Sequence, residues 1–159
     1  MSGYEVIGTQ KPDNLIAGPE VPLLTKGVLI AANQTLKRGS VIGIITKTGT
    51  TAGQGKLCNK SNASDTGDGD GSGVAKYILS HDITTTDTPA VAVCYQSGIF
   101  NREALIFGGD STADDHAEEL RDVGIYLRDE FSISPAESDT GDTGDTGDTG
   151  DTGDTGSST

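Results

Sequence analysis

The segment 91–107 constrains the fold most, because its apolar residues recur at the spacing of a β-strand. The alternating residues are Val91, Ala92, Val93, Cys94, Tyr95 and Gln96. Alternation with a period of two predicts a strand that buries one face, and Ser97-Gly98 predicts a turn or bulge after it. Two of the three phenylalanines, Phe100 and Phe107, lie in this segment, and the chain has no tryptophan. A core that is short of aromatic residues must use those it has, so we expect its centre here.

The small share of apolar residues limits how much of the chain can build a core. Hydrophobic residues make up 33% of the 159, and 23 residues are glycine, so only part of the chain can form the core. The net charge of −13 is uneven, because residues 139–159 hold six Asp and no Lys or Arg. The other 138 residues then hold 18 acids against 11 bases, a net charge of −7. Such a surface repels a phosphate backbone, which argues against direct nucleic-acid binding.

Residues 1–26 are predicted to form an extended N-terminal arm, because Pro12, Pro19 and Pro22 are too closely spaced for a helix. Two interpretations stay open: a frayed terminus that lies on its own domain, or an arm that adds to the surface of a partner. The apolar content favours the second, since a merely solvated tail has no use for such residues. We therefore expect the core to begin at Gly27. The apolar arm residues with which we expect a partner to be bound are Tyr4, Val6, Ile7, Leu15 and Ile16.

Residues 27–131 are predicted to form one small, mostly β domain with a single short helix. Runs that are apolar or alternate with a period of two predict strands, at 27–32, 41–46, 74–79, 91–95 and 125–127. Residues 47–73 are rich in Gly, Thr, Ser, Asn and Asp, which predicts a long polar excursion around a short strand at 56–58. The helix is expected to begin after a cap at Ser111 or Thr112 and to end at Gly124.

Neither histidine suggests catalysis. His81 follows a predicted strand, and His116 is expected on the polar face of the helix. No serine or cysteine stands near either in a recognisable motif, so a catalytic triad is not expected. The two cysteines, Cys58 and Cys94, belong to no Cys-x-x-Cys pair and are expected to be reduced thiols, with Cys94 in the core.

Two loop motifs resemble ligand sites incompletely. Residues 53–56 resemble part of a phosphate-binding loop, but Leu57 stands where Ser or Thr should hold a magnesium ion. Residues 68–73 resemble the start of a calcium loop, but Leu79 occupies the place of its bidentate Glu. A flexible acidic loop explains the second motif better than a cation site, and we predict no metal and no cofactor.

Four short stretches, taken in order, carry a family resemblance. Residues 90–107, with Tyr-Gln-Ser-Gly-Ile-Phe and Glu-Ala-Leu, resemble the central segment of the lambda-type phage head decoration proteins. Residues 27–43 are similar to the first core unit of that family, and Pro-Asp-Asn-Leu-Ile-Ala-Gly from Pro12 resembles its N-terminal arm. The short helix followed by Gly-Ile-Tyr-Leu-Arg resembles its closing segment. The resemblance covers roughly residues 10–131 and excludes the tail.

The tail follows a linker at 132–138 and repeats Asp-Thr-Gly from residue 139. Glycine at every third position is what a collagen triple helix requires, because only glycine fits at its axis. A disordered acidic tail is the alternative, since the repeat contains no proline to preset the backbone. The candidate triple-helix glycines are Gly141, Gly144, Gly147, Gly150, Gly153 and Gly156.

The resemblance implies capsid decoration: a homotrimer on the outer surface of the expanded phage head that binds the major capsid protein and stabilises the head against DNA pressure. It also implies a virion protein that is assembled in the host cytoplasm and is not an enzyme. The alternative is a secreted or surface-displayed collagen-like adhesin with a small β head. The first residues lack the basic and apolar regions of a signal peptide, which disfavours that alternative. No apolar run approaches 18 residues, so no contact with a membrane is expected.

Overall fold

The computed structural model describes residues 13–64 and 67–129. They form a mostly β domain with one α-helix, which confirms the predicted fold class. Short 3-10 helices occupy Lys60–Asn62 and Arg102–Ala104. The other elements are β1 (Ile16–Gly18), β2 (Leu24–Ile30), β3 (Thr35–Leu36), β4 (Val41–Ile44), β5 (Gly55–Leu57), β6 (Ala75–Leu79), β7 (Ile83–Thr84), β8 (Ala90–Asn101), α1 (Ala113–Asp122) and β9 (Ile125–Arg128).

Five strands close into a small barrel in the order β8, β2, β5, β4, β6 and back to β8. β2 and β5 run parallel, and the other neighbouring pairs are antiparallel. β4 lies very close to the backbone of Ser72 at Gly43. A glycine is needed at this position, because a Cβ there would lie 1.9 Å from the carbonyl oxygen of Ser72. The register between β4 and β6 shifts between Ile42 and Gly43.

β8 is shared between the barrel and a second, smaller sheet. Its first part pairs with β2 and β6, and its last part lies between β1 and β9. The strand is therefore not ended at Ser97-Gly98, as expected, but changes partners there. Gly98 has φ 141°, and a Cβ on it would lie 2.5 Å from Cδ2 of Leu23. A glycine is required at this junction for two reasons. A residue with a side chain rarely adopts this φ, and its Cβ would collide with Leu23.

Two hydrophobic clusters form the core. The first fills the barrel and includes Val28, Ile30, Ile42, Leu79, Ala92 and Cys94. The second lies where the barrel meets β1, α1 and β9, and includes Leu15, Val41, Ile78, Phe100, Leu120 and Ile125. Phe100 is fully buried, and its ring lies 5.3 Å from that of Tyr95, so the expected core centre in segment 91–107 is confirmed.

Helix α1 begins at the predicted cap. The side chain of Thr112 accepts a hydrogen bond from the backbone N–H of Asp115, and Asp115 accepts one from the N–H of Thr112 in return. This reciprocal capping box satisfies two backbone donors that the helix leaves unpaired. After the helix Gly124 adopts φ 91°, as a glycine just past a helix end commonly does. The prediction for His116 is wrong, because its side chain is buried with Leu120 beneath the helix.

The expectation that the core begins at Gly27 is also wrong. Leu15 is 3% exposed and belongs to the core cluster around Phe100. Its carbonyl accepts a hydrogen bond from the N–H of Asn101, and β1 follows directly. Strand β2 starts at Leu24, three residues before Gly27. In residues 13–26 the backbone is extended in β1 and at the start of β2, and it pairs with the sheet of its own domain there.

Candidate functional site

The N-terminal segment is tied to the domain at Asp13. The guanidinium of Arg38 contacts both carboxylate oxygens of Asp13, with Nη2 2.5 Å from Oδ2 and Nε 3.3 Å from Oδ1. Hydrogen bonding from Arg38 holds the pKa of Asp13 below its ordinary value. Arg38 also donates to the carbonyl of Ser80 and to the hydroxyl of Tyr95. The arrangement fixes Asp13, the first of the described residues, on the domain.

The five predicted arm residues do not share one environment. Leu15 points into the core, so it is not available to a partner. Ile16 is 39% exposed, and in β1 it pairs with Phe100. Tyr4, Val6 and Ile7 lie outside the described residues. The structure thus places Ile16 alone, of the five, on the surface of the described domain.

An exposed apolar ridge lies on the outer face of β2 and β8. It consists of Leu29, Val91 and Val93, which are 40%, 67% and 44% exposed. Leu29 lies opposite Val91, and Val93 lies opposite Gly27, which has no side chain to cover it. A signal for the ridge was present in the sequence but was not used. Segment 91–95 is apolar at both alternating sets of positions, and only Ala92 and Cys94 are buried in the barrel.

A pocket of about 330 Å³ lies at the other end of the same two strands. The residues around it are Leu24, Lys76, Tyr77, Gln96, Ser97 and Val123. Leu24 and Val123 are 52% and 40% exposed and give it an apolar wall. Lys76 adds a positive charge that makes no ion pair within residues 13–64 and 67–129. The pocket thus combines two apolar side chains with a mostly polar lining that includes one cation.

Cys58, His116 and Glu119 are in contact, but not in a form that suits nucleophilic catalysis. Sγ of Cys58 lies 3.8 Å from Nε2 of His116, and Nδ1 of His116 lies 2.7 Å from Oε2 of Glu119. Cys58 is fully buried, and burial, assisted by the charge of Glu119, raises the pKa of its thiol to about 12. A nucleophilic cysteine needs the thiolate form and access to substrate. The cluster therefore stabilises the contact of α1 with the barrel.

The exposed histidine has no catalytic arrangement either. Nδ1 of His81 lies 3.1 Å from Oγ of Ser80. The hydroxyl of Ser80 donates its hydrogen to the carbonyl of Val93 at 2.6 Å, so His81 is placed to donate to the oxygen rather than to remove its proton. The pair caps the end of β6 beside β8.

The two loop motifs adopt structures unlike ligand sites. Asp70 forms an ion pair with Lys56 at 2.5 Å and accepts hydrogen bonds from the backbone N–H and the hydroxyl of Ser72. Leu79 is fully buried in the barrel, and Gly55 is part of β5. Across the described ranges no three His, Cys, Asp or Glu side chains are grouped to hold a metal ion.

The glycine repeat lies beyond the described part, which ends at Asp129 just after β9. This applies to Gly141, Gly144, Gly147, Gly150, Gly153 and Gly156. Asp129 contacts Nε of Arg102 at 3.2 Å. No helix among residues 13–64 and 67–129 is long and apolar enough to cross a bilayer.

Comparison with known protein families gives a match over most of the described domain. A family model described as bacteriophage lambda head decoration protein D matches residues 6–125, about three quarters of the chain. The matched range includes every strand from β1 to β8 together with α1. Among curated proteins no match was found.

Proposed function

Because the chain belongs to the lambda head decoration protein D family, we propose that it binds the outer surface of the expanded phage head as a homotrimer. Its partner there is the major capsid protein, and its role is to stabilise the lattice against the pressure of packaged DNA. The family match over most of the domain is the observation that carries this proposal. A protein that binds only the expanded lattice stabilises that state by mass action.

Residues 1–12 are the part of the chain that we propose binds the capsid, together with exposed Ile16. The ion pair between Asp13 and Arg38 and the burial of Leu15 hold the residues that directly follow this segment on the domain. Tyr4, Val6 and Ile7 supply apolar side chains beyond it. An extended segment of this kind can add to the edge of a partner's sheet, with its backbone supplying hydrogen bonds and its side chains the specificity.

We also propose that the tail forms a collagen-like triple helix on the outside of the trimer. Three copies of a trimeric domain bring three tails together, which raises their effective concentration and lowers the cost of nucleation. The repeat has glycine at every third position, as a triple helix needs. Six Asp in each chain oppose this association, and salt or divalent cations weaken that repulsion.

Co-sedimentation with purified expanded heads tests the proposal. The full chain is expected to bind, and a variant that lacks residues 2–12 is expected to fold but to lose most of its binding. A deletion of residues 2–16 is less informative because it removes Leu15 from the core. A variant that ends at Ala136 serves as the control and should bind as the full chain does. Failure of the full chain to bind contradicts the proposed function; unchanged binding without residues 2–12 contradicts the role of the arm.

A further inference from the structure

We propose that, in the protein free of a capsid, residues 4–7 pack on the exposed apolar ridge of their own chain. The ridge is Leu29, Val91 and Val93, on the outer face of β2 and β8. The apolar side chains that cover it are those of Tyr4, Val6 and Ile7. The inference goes beyond the proposed function, because it concerns a contact within one chain and needs no capsid.

The N-terminal region already covers the outer face of β8 next to the ridge. Val91, Val93 and Tyr95 are two residues apart in β8, so their side chains share that face. Val91 and Val93 are exposed, whereas Tyr95 is partly buried and packs against the core cluster that contains Leu15. The cover therefore ends at Tyr95 and leaves the next two positions on this face open.

Asp13, the first described residue, lies at the point where this cover ends. Its carboxylate is 2.5 Å from Nη2 of Arg38, and the guanidinium carbon of Arg38 lies 5.9 Å from the centre of the Tyr95 ring. Nη1 of Arg38 donates to the carbonyl of Ser80, whose N–H and hydroxyl both donate to the carbonyl of Val93. Three consecutive hydrogen-bonded contacts thus connect Asp13 to Val93, and the chain before Asp13 starts beside the ridge.

Residues 1–12 have the length and the spacing that the ridge requires. An extended chain spans about 20 Å over residues 7–12, and the far end of the ridge lies roughly 14 Å from Tyr95 along β8. Residues 4–7 can therefore reach every part of the ridge. Tyr4 and Val6 are two residues apart, as the two valines of the ridge are, so an extended backbone sets one apolar side chain against each valine.

The size of the ridge suits a short tethered segment better than a second protein. A stable interface between proteins takes about 20–30 residues from each partner, and the ridge offers three side chains. A segment that is tethered beside its site has a local concentration on the order of millimolar. A small apolar contact is therefore sufficient within one chain, although it is too small to hold two molecules together.

Disulfide cross-linking of the full-length protein tests this contact, because a disulfide forms only where two Cα atoms come within about 7 Å. Val6→Cys and Val93→Cys are combined in one chain, and each is also made alone. Mild oxidation of the double variant is expected to remove both added thiols without forming covalent dimers. Native Cys58 and Cys94 are fully buried and contribute little background. Val6→Cys with Tyr126→Cys is the matched control, because Tyr126 is as exposed as Val93 but lies on β9.

A fluorescent reporter provides an independent test. The chain has no tryptophan, so Tyr4→Trp places a single indole in the segment 1–12. Adding Val91→Asp should shift its emission to longer wavelength and increase its quenching by acrylamide, because a charged side chain on the ridge disfavours an apolar neighbour. Adding Tyr126→Asp, at an exposed position outside the ridge, should leave the emission unchanged. The melting temperature of each variant separates loss of the contact from loss of the fold.

Three outcomes would overturn the inference: equal cross-linking of Val6→Cys to positions 93 and 126, a disulfide that joins two chains, or a reporter emission that Val91→Asp does not change. A disulfide between chains would mean that residues 1–12 of another copy cover the ridge. Neither experiment contains a capsid, so failure of the proposed capsid binding would leave both results intact. Conversely, capsid binding by a chain whose residues 4–7 do not contact the ridge would contradict only the inference.

Discussion

Nδ1 of His116 lies 2.7 Å from Oε2 of Glu119, and the same oxygen accepts a hydrogen bond from the backbone N–H of Ala75 at 2.8 Å. One carboxylate therefore links helix α1 to the first residue of β6. The ring of Phe107 stacks on the imidazole at 5.3 Å between centroids, and His116 is 1% exposed. The contact joins the helix to the barrel through a buried imidazole and a carboxylate that is partly exposed.

Replacing His116 by Ala should destabilise the domain by about 2–4 kcal/mol, because the change leaves a cavity and removes a hydrogen bond to Glu119. The matched change at the exposed residue, His81→Ala, should stay within about 0.5 kcal/mol of the native chain. Urea unfolding at one fixed protein concentration measures both. Equal stability of the two variants would contradict the structural role assigned to His116.

Gly43→Ala should destabilise the domain by about 3 kcal/mol, the upper end of the usual range for overpacking. A Cβ at this position would lie 1.9 Å from the carbonyl oxygen of Ser72 and 2.9 Å from that of Val74. The backbone around Ser72 and Val74 must therefore move to accommodate it. Gly108→Ala is the control, since its nearest neighbours lie at 3.3 Å. A melting temperature for Gly43→Ala as high as that of the control would contradict the barrel closure described here.

Asp115→Asn should reduce the loss of stability in acid. Hydrogen bonding from the backbone N–H of Thr112, and then from Lys60, lowers the pKa of Asp115 below its ordinary 3.8. A lowered pKa in the folded state adds stability above the unfolded pKa, and that stability is lost as the pH falls through the folded value. The amide keeps an acceptor for the cap but cannot titrate.

The measurement is the free energy of unfolding between about pH 5 and pH 2, the window of an acid with a lowered pKa. The slope for Asp115→Asn should be shallower than the native slope. Asp110→Asn, whose side chain is exposed, is the control and should follow the native curve. Equal slopes for all three proteins would show that Asp115 does not contribute to the loss of stability in acid.

The tail is tested by circular dichroism of the full chain minus that of a variant ending at Ala136. A triple helix roughly 50 Å long, at about 3.1 Å per residue, should give a positive collagen-like band that melts cooperatively and strengthens with calcium. An unordered difference spectrum at low temperature, with and without calcium, would instead indicate a disordered acidic brush.

Local patterns in the sequence predicted most elements but not how they meet. The alternation around Val93 and the cap at Thr112 depend on neighbouring residues, so a strand and a helix start could be read directly. Closure of the barrel depends on the pairing of β2 with β5, which is set by three-dimensional packing. For the same reason the burial of Leu15 and His116 was not predicted: both side chains find their partners only after distant strands have come together.

Selective binding to the expanded head is the most direct test of the central claim. Purified protein is mixed separately with expanded and unexpanded heads of the phage whose genome encodes it, and bound protein is measured after sedimentation. The account predicts binding to expanded heads alone, and greater survival of decorated heads than bare heads on heating, because a ligand stabilises the state that it binds. Equal binding to both forms, or binding to neither, would contradict it.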